Sequence, residues 1–107
     1  MNNAQIVDSD RVRPTKIEHR CEEMFDGDRL TQRYNFVVYH FEKGGHYYWA
    51  RAYADEIDTV SLFGPLDSRT TRKPVAGSVD ADIVAYFQRR FDTIQTLGDE
   101  GYTVIWS

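Results

Sequence analysis

Four groups of side chains carry the types that do chemistry. His19 and Cys21 stand two apart. A thiol–imidazole nucleophile pair needs hydrogen-bond reach and a third group to orient the base. On a strand these two share a face at about 6.5–7 Å along the backbone. No orienting group is evident, so Cys21 reads as a small core residue. His40 and His46 flank the turn Glu42-Lys43-Gly44-Gly45. A metal would need both on one face and at least one more ligand. An even-length turn sends them to opposite faces, and no metal is assigned.

Asp55, Glu56 and Asp58 cluster near Arg51. Paired carboxylates do acid–base work or hold cations, but this spacing matches no calcium loop and reads as a solvated corner. Arg69, Arg72 and Lys73 precede a predicted helix. Cationic side chains beside free helix N–H groups make a candidate anion-binding loop, although neither G-x-x-x-x-G-K-[ST] nor G-x-G-x-x-G is present. No catalytic residue and no cofactor follow from these groups.

The elements that must position them follow from periodicity. Thr15 to Phe25 alternates, with Ile17, His19, Cys21, Glu23 and Phe25 on one face and Lys16, Glu18, Arg20, Glu22 and Met24 on the other. That pattern predicts a half-buried antiparallel strand. Asp26-Gly27-Asp28 is a turn. Leu30–Glu42 and His46–Tyr53 are predicted strands joined as a β-hairpin, because aromatic and β-branched residues flank a Gly-Gly turn. Two-residue loops are the commonest hairpin connection and glycine tolerates their positive φ. A three-residue loop would exchange the faces.

Thr59–Phe63 is a fourth predicted strand, ended by Gly64-Pro65. Leu66–Ser78 is a long loop, and such loops are often functional. Ile83, Val84, Phe87, Phe91, Ile94 and Leu97 fall at helical spacing, which predicts one helix over Val79–Leu97. Ser78 or Asp80 would cap it and Gly98 would stop it. Tyr102–Trp106 is a last strand that could pair with the first. The predicted fold is α+β, a mostly antiparallel sheet of about five strands (β-β-β-β-α-β) with one helix on one face. Residues 1–13 read as a flexible N-terminal arm and 14–107 as a single domain.

One helix covers one sheet face. Burying each stripe residue is worth about 1.5–3 kcal/mol, so the helix must lie on an apolar face. Ala50 and Ala52 allow close approach, with Val37, Phe41, Val60 and Leu62 at the flanks. The opposite face then carries Tyr34, Phe36, Val38, His40, Tyr47, Trp49, Arg51 and Tyr53 without an evident cover. Uncovered aromatic patches mark interaction sites, and Trp, Tyr and Arg dominate interface energetics.

The formal net charge of −4 argues against a general nucleic-acid or anionic-membrane binder. No apolar run has membrane-spanning length. A single cysteine excludes an internal disulfide, and the N-terminus lacks the features of a signal peptide. A cytoplasmic location is expected. The expectation is a non-enzymatic interaction module whose aromatic face (Tyr34, Phe36, His40, Tyr47, Trp49, Arg51, Tyr53) serves self-association as a homodimer or a protein partner. The alternative is a small-molecule pocket or enzyme site on that face around Arg51.

Overall fold

The computed structural model describes residues 10–98 and 101–107. A six-stranded sheet runs in sequence order from β1 (Lys16–Asp26) through β2 (Arg29–Lys43), β3 (His46–Tyr53), β4 (Thr59–Leu66) and β5 (Thr93–Gly98) to β6 (Gly101–Trp106). Among the described residues one helix, α1 (Ala81–Gln88), crosses over between β4 and β5. β4 and β5 are parallel and every other pair is antiparallel. The sheet is therefore mixed, with one strand more than predicted.

The β2–β3 turn has the predicted even length. Lys43 pairs with His46 across Gly44 and Gly45, whose φ values are +63° and +80°. Two consecutive positive φ values define the hairpin turn that matches strand twist. His40 therefore pairs with Trp49, and Tyr39 with Ala50. As predicted, α1 packs on the Ala50/Ala52 face. The core there joins Phe41, Tyr48, Val60, Leu62, Ile83, Phe87 and Ile94.

The helix is less than half its predicted length. Its start is firm: the Asp80 carboxylate accepts from the N–H groups of Asp82 (2.9 Å) and Ile83 (3.2 Å). Lys43 Nζ bonds both Asp80 and Asp82. The end comes at Gln88, after which Asp58 O accepts from the N–H of Asp92 (2.9 Å) and Thr93 (3.0 Å). Residues 93–96 then pair with Thr59–Leu62. Ile94 stays fully buried, whereas Leu97, its partner in the helical stripe, is 52% exposed. Gly98 closes β5 rather than the helix. The last strand pairs with β5, so β1 and β6 lie at opposite edges of the sheet.

Three further expectations are corrected. β4 continues through Gly64-Pro65, which is a cis peptide, to Leu66. β1 is exposed along nearly its whole length instead of half-buried. Cys21 is exposed, not a core residue. For β1 and Cys21 the reason is shared. β3 pairs with β2 only as far as Phe36, with one further bond from the Ala54 N–H to Asn35 O (2.8 Å), so residues 22–26 and 29–34 form a two-stranded ribbon beyond the sheet body.

Residues 1–9 of the predicted arm lie outside the described residues. Within its remainder, Asp10 pairs with Arg90 at 2.8 Å and Val12 packs against the core. No described helix is long and apolar enough to cross a membrane.

Candidate functional site

The face opposite α1 is built by alternation. β2 presents Tyr34, Phe36, Val38 and His40, and β3 presents Tyr47, Trp49, Arg51 and Tyr53. β4 adds Phe63 and Ser61 through their pairing with Trp49 and Arg51. β1 adds Lys16, Glu18, Arg20 and Glu22, which pair with the even-numbered residues of β2.

Arginines and aromatic rings alternate across this surface. The Arg51 guanidinium carbon stands 5.0 Å from the Tyr53 ring centre, 5.8 Å from Trp49 and 5.7 Å from Phe63. Trp49 stacks on Phe63 at 4.1 Å and 16°. Arg72, from the 67–78 segment, lies 5.2 Å from Trp49 and 5.4 Å from Tyr47. Cations over aromatic faces are attracted by the ring quadrupole, by about 0.5–1 kcal/mol each at exposed sites. Arg72 holds φ +52°, a left-handed backbone unusual for a residue with a side chain. One Arg51 Nη donates to the Tyr102 hydroxyl at 3.1 Å, while Arg51 Nε is buried with no partner among the described residues.

Beneath this ladder lies a buried polar relay. His40, 6% exposed, sits between Tyr47 Oη (2.6 Å from Nδ1) and Glu18 Oε1 (2.6 Å from Nε2). With Glu18 ionised, Nε2–H donates to the carboxylate and Nδ1 accepts from the Tyr47 hydroxyl. The His40 hydrogen bond holds the Glu18 carboxyl below the usual carboxylate range. Order of carboxylate, imidazole and hydroxyl matches a nucleophile with its base and orienter. The electrostatics do not. Burial pushes the Tyr47 phenol up, and at 2% exposure its hydroxyl is closed to a substrate. The relay instead satisfies three polar groups under the aromatic layer.

The predicted face residues thus divide by depth. Phe36, His40 and Tyr47 are buried, whereas Tyr34, Trp49, Arg51 and Tyr53 are half-buried. The 67–78 segment closes over the Tyr47 end. There Leu66 bridges to Pro74, and Asp67 accepts from Thr71 Oγ1 (2.7 Å) and the Lys73 N–H (2.9 Å). The Tyr53 end stays open.

Arg69, Arg72 and Lys73 are not brought together. Arg72 lies on the aromatic ladder, and its Nε donates to Arg69 O at 3.0 Å. Arg69 lines a separate cavity with Lys43 and His46. The helix N-terminus that was to complete the anion site is filled by Asp80 and faced by Lys43. His40 and His46 occupy opposite faces, as the even turn requires. Among the described residues no cluster of three metal-ligating side chains forms. His19 and Cys21 are both exposed, and Asp55, Glu56 and Asp58 form an exposed corner.

The structure also brings in residues that sequence reasoning did not assign to the site. Phe63 joins the face by pairing with Trp49 and Tyr102 by accepting from Arg51, and periodicity alone supplies neither. A second concavity lies on the helix side, where α1 stops short. This groove of about 430 Å³ is lined by Val37, Tyr39, Ala52, Ile57 and Phe91, with Cys21 at its rim. The polar recess around His40, Trp49 and Arg51 on the opposite face is smaller, about 180 Å³. Comparison of the chain with protein-family models, curated proteins and solved structures returned no match.

Proposed function

We propose that this chain is a non-enzymatic binding module, and that the face opposite α1 docks another protein through Trp49, Arg51 and Tyr53. The observation behind this reading is the one-sided position of the helix. It buries the Ala50/Ala52 face and leaves four half-buried residues of the kinds that dominate interface energies on the other, Tyr34 together with Trp49, Arg51 and Tyr53. Lys16, Glu18, Arg20 and Glu22 lie along the β1 side of the same face, an aromatic centre with a charged rim. Burial of Phe36, His40 and Tyr47 gives this surface a rigid floor, so little ordering entropy opposes docking. The exposed free thiol of Cys21 suits a reducing compartment such as the cytoplasm.

The second reading is a pocket around Arg51 for an anionic small molecule. Its specific support is the buried Arg51 Nε, which has no partner among the described residues. Size favours the first reading. The recess of about 180 Å³ falls below the roughly 300–1,000 Å³ of sites that enclose a drug-sized ligand.

A photo-crosslinking amino acid at position 53, with exposed position 88 on the helix as control, tests the choice in extract of the native cell. The expected result is a protein adduct at 53, absent at 88 and lost on Arg51→Glu. An adduct pattern indifferent to Arg51→Glu counts against the docking face. A thermal-shift screen of anionic compounds separates the readings further. Hits that vanish in Arg51→Ala support the pocket.

A further inference from the structure

We propose, resting on the docking reading above, that the partner of the Trp49 face is an acidic, apolar protein segment. It sets a carboxylate side chain between Arg51 and Arg72, and apolar side chains on Leu97, Tyr102 and Val104.

Positive charge at the centre of this face is unmatched. Both guanidiniums share the Trp49 ring, Arg51 at 5.8 Å and Arg72 at 5.2 Å. Neither has a carboxylate partner among the described residues. By contrast, Arg33 meets Glu23, Lys43 meets Asp80 and Asp82, and Arg90 meets Asp10. The recess that Arg51 and Arg72 line also holds Arg20, Glu18 and Glu22. Glu18 is taken up by His40 at 2.6 Å and Lys16 at 3.6 Å. Glu22 shares its β1 face with Arg20, two residues away, so those two charges offset each other. Arg51 and Arg72 remain as like charges around one recess, and an anion from outside relieves their repulsion.

Their hydrogen-bonding capacity is open as well. A guanidinium stacked on a ring keeps N–H groups at its edge for a carboxylate. Arg72 spends Nε on Arg69 O, and Arg51 spends one Nη on the Tyr102 hydroxyl. Both Nη groups of Arg72 and the other Nη of Arg51 have no partner among the described residues. The recess of about 180 Å³ is small for a free ligand but admits the end of an acidic side chain.

Beyond Arg51 the same face turns apolar. Arg51 pairs with Ser61, Ser61 with Gln95, and Gln95 with Val104. Leu97 and Tyr102 form the next pair on that side. Leu97, Tyr102 and Val104 are 52%, 49% and 55% exposed. Neither Thr93–Gly98 nor Gly101–Trp106 contains a charged residue. An exposed apolar patch bordered by charge marks a contact site. Guanidiniums beside an uncharged strip match a segment with carboxylates beside apolar side chains, and such a match selects partners. The net charge of −4 repels that segment elsewhere on the chain, which confines it to this face.

Fluorescence anisotropy of dye-labelled poly(Glu,Tyr), a random copolymer, reads the binding in low salt. Poly(Lys,Tyr) and poly-Glu serve as comparisons. Poly(Glu,Tyr) should bind best, since it alone offers both chemistries, and should weaken as salt rises. Arg72→Glu and Val104→Asp should each weaken it by about fivefold or more. Their circular-dichroism spectra should not change, because both side chains are exposed. Arg29→Glu, an equal change of charge at the ribbon tip, should leave binding nearly unchanged. Failure of poly(Glu,Tyr) to bind, tighter binding of poly(Lys,Tyr), or indifference to Arg72→Glu overturns the proposal. Equal binding by oligothymidylate overturns it too, because any polyanion would then suffice. The photo-crosslink at position 53 keeps the two claims apart. An adduct that needs Arg51 but survives Arg72→Glu and Val104→Asp keeps the docking face and removes the acidic, apolar partner.

Discussion

His40 shows how a single residue sets the character of a surface. Both ring nitrogens are engaged, by Tyr47 and Glu18, under a layer of arginine and aromatic rings. A buried polar group left without its partner costs about 1–3 kcal/mol. Tyr47→Phe removes one partner and nothing else, so it should destabilise the fold by about that amount in urea titration. Loss of less than a few tenths would mean that the hydroxyl does no structural work. Gly64 makes a sharper case. A Cβ there would meet Tyr48 Cδ2 at 2.7 Å and Tyr47 O at 3.0 Å, at φ +128°. Gly64→Ala combines that clash with a conformation nearly closed to side chains, and should cost more than about 2 kcal/mol by thermal or urea unfolding. Neither role could be read from the sequence, because each depends on a neighbouring strand in register.

At the scale of elements, the Gly44-Gly45 turn was legible and the helix end was not. Two glycines between aromatic runs admit few alternatives. Residues 91–97 carry two periods at once: Phe91, Ile94 and Leu97 continue the helical stripe, while β-branched Thr93, Ile94 and Thr96 suit a strand. Pairing with Val60 and Leu62 along β4 decides between them, and that edge is not visible in a local window. The same error hid the groove, since a helix of the predicted length would have left less of the face bare.

What remains of the helix leans on its first turn. Burial would raise the Asp80 carboxyl, but the Lys43 bond and the N–H groups of Ile83 and Asp82 outweigh it and hold the group below its ordinary value. A depressed carboxyl stabilises above its unfolded pKa, about 3.9, and loses that contribution as pH falls through the folded value. The stability gap between wild type and Asp80→Asn should therefore stay level from about pH 5 to 8 and shrink below about pH 4. A gap that persists to pH 2 would contradict the linkage. Lys43 is shifted up by its bonds to Asp82 and Asp80. Its contribution is complete below the ordinary lysine value, about 10.4, and fades as pH rises through the higher folded value.

For the whole molecule, both faces of one sheet are apolar, and the described residues supply a single eight-residue helix to shield them. The sequence shows the two-sided character of β2 and β3 and the face the helix selects. It does not show how far the shielding falls short, because that depends on strand lengths and on where Arg72 comes to rest. Two regions follow from the shortfall: the Arg–aromatic ladder on one side, and the ribbon with its groove on the other.

The most direct test is the openness of the Trp49 face in the single chain. Trp106 is the other tryptophan, so a Trp106→Phe protein reports on Trp49 alone. Acrylamide should quench this emission readily, and Arg72→Ala should raise the quenching by opening the Tyr47 end. Emission already shielded from the quencher in a strict monomer would mean that the chain covers this face itself, and the docking surface would be lost.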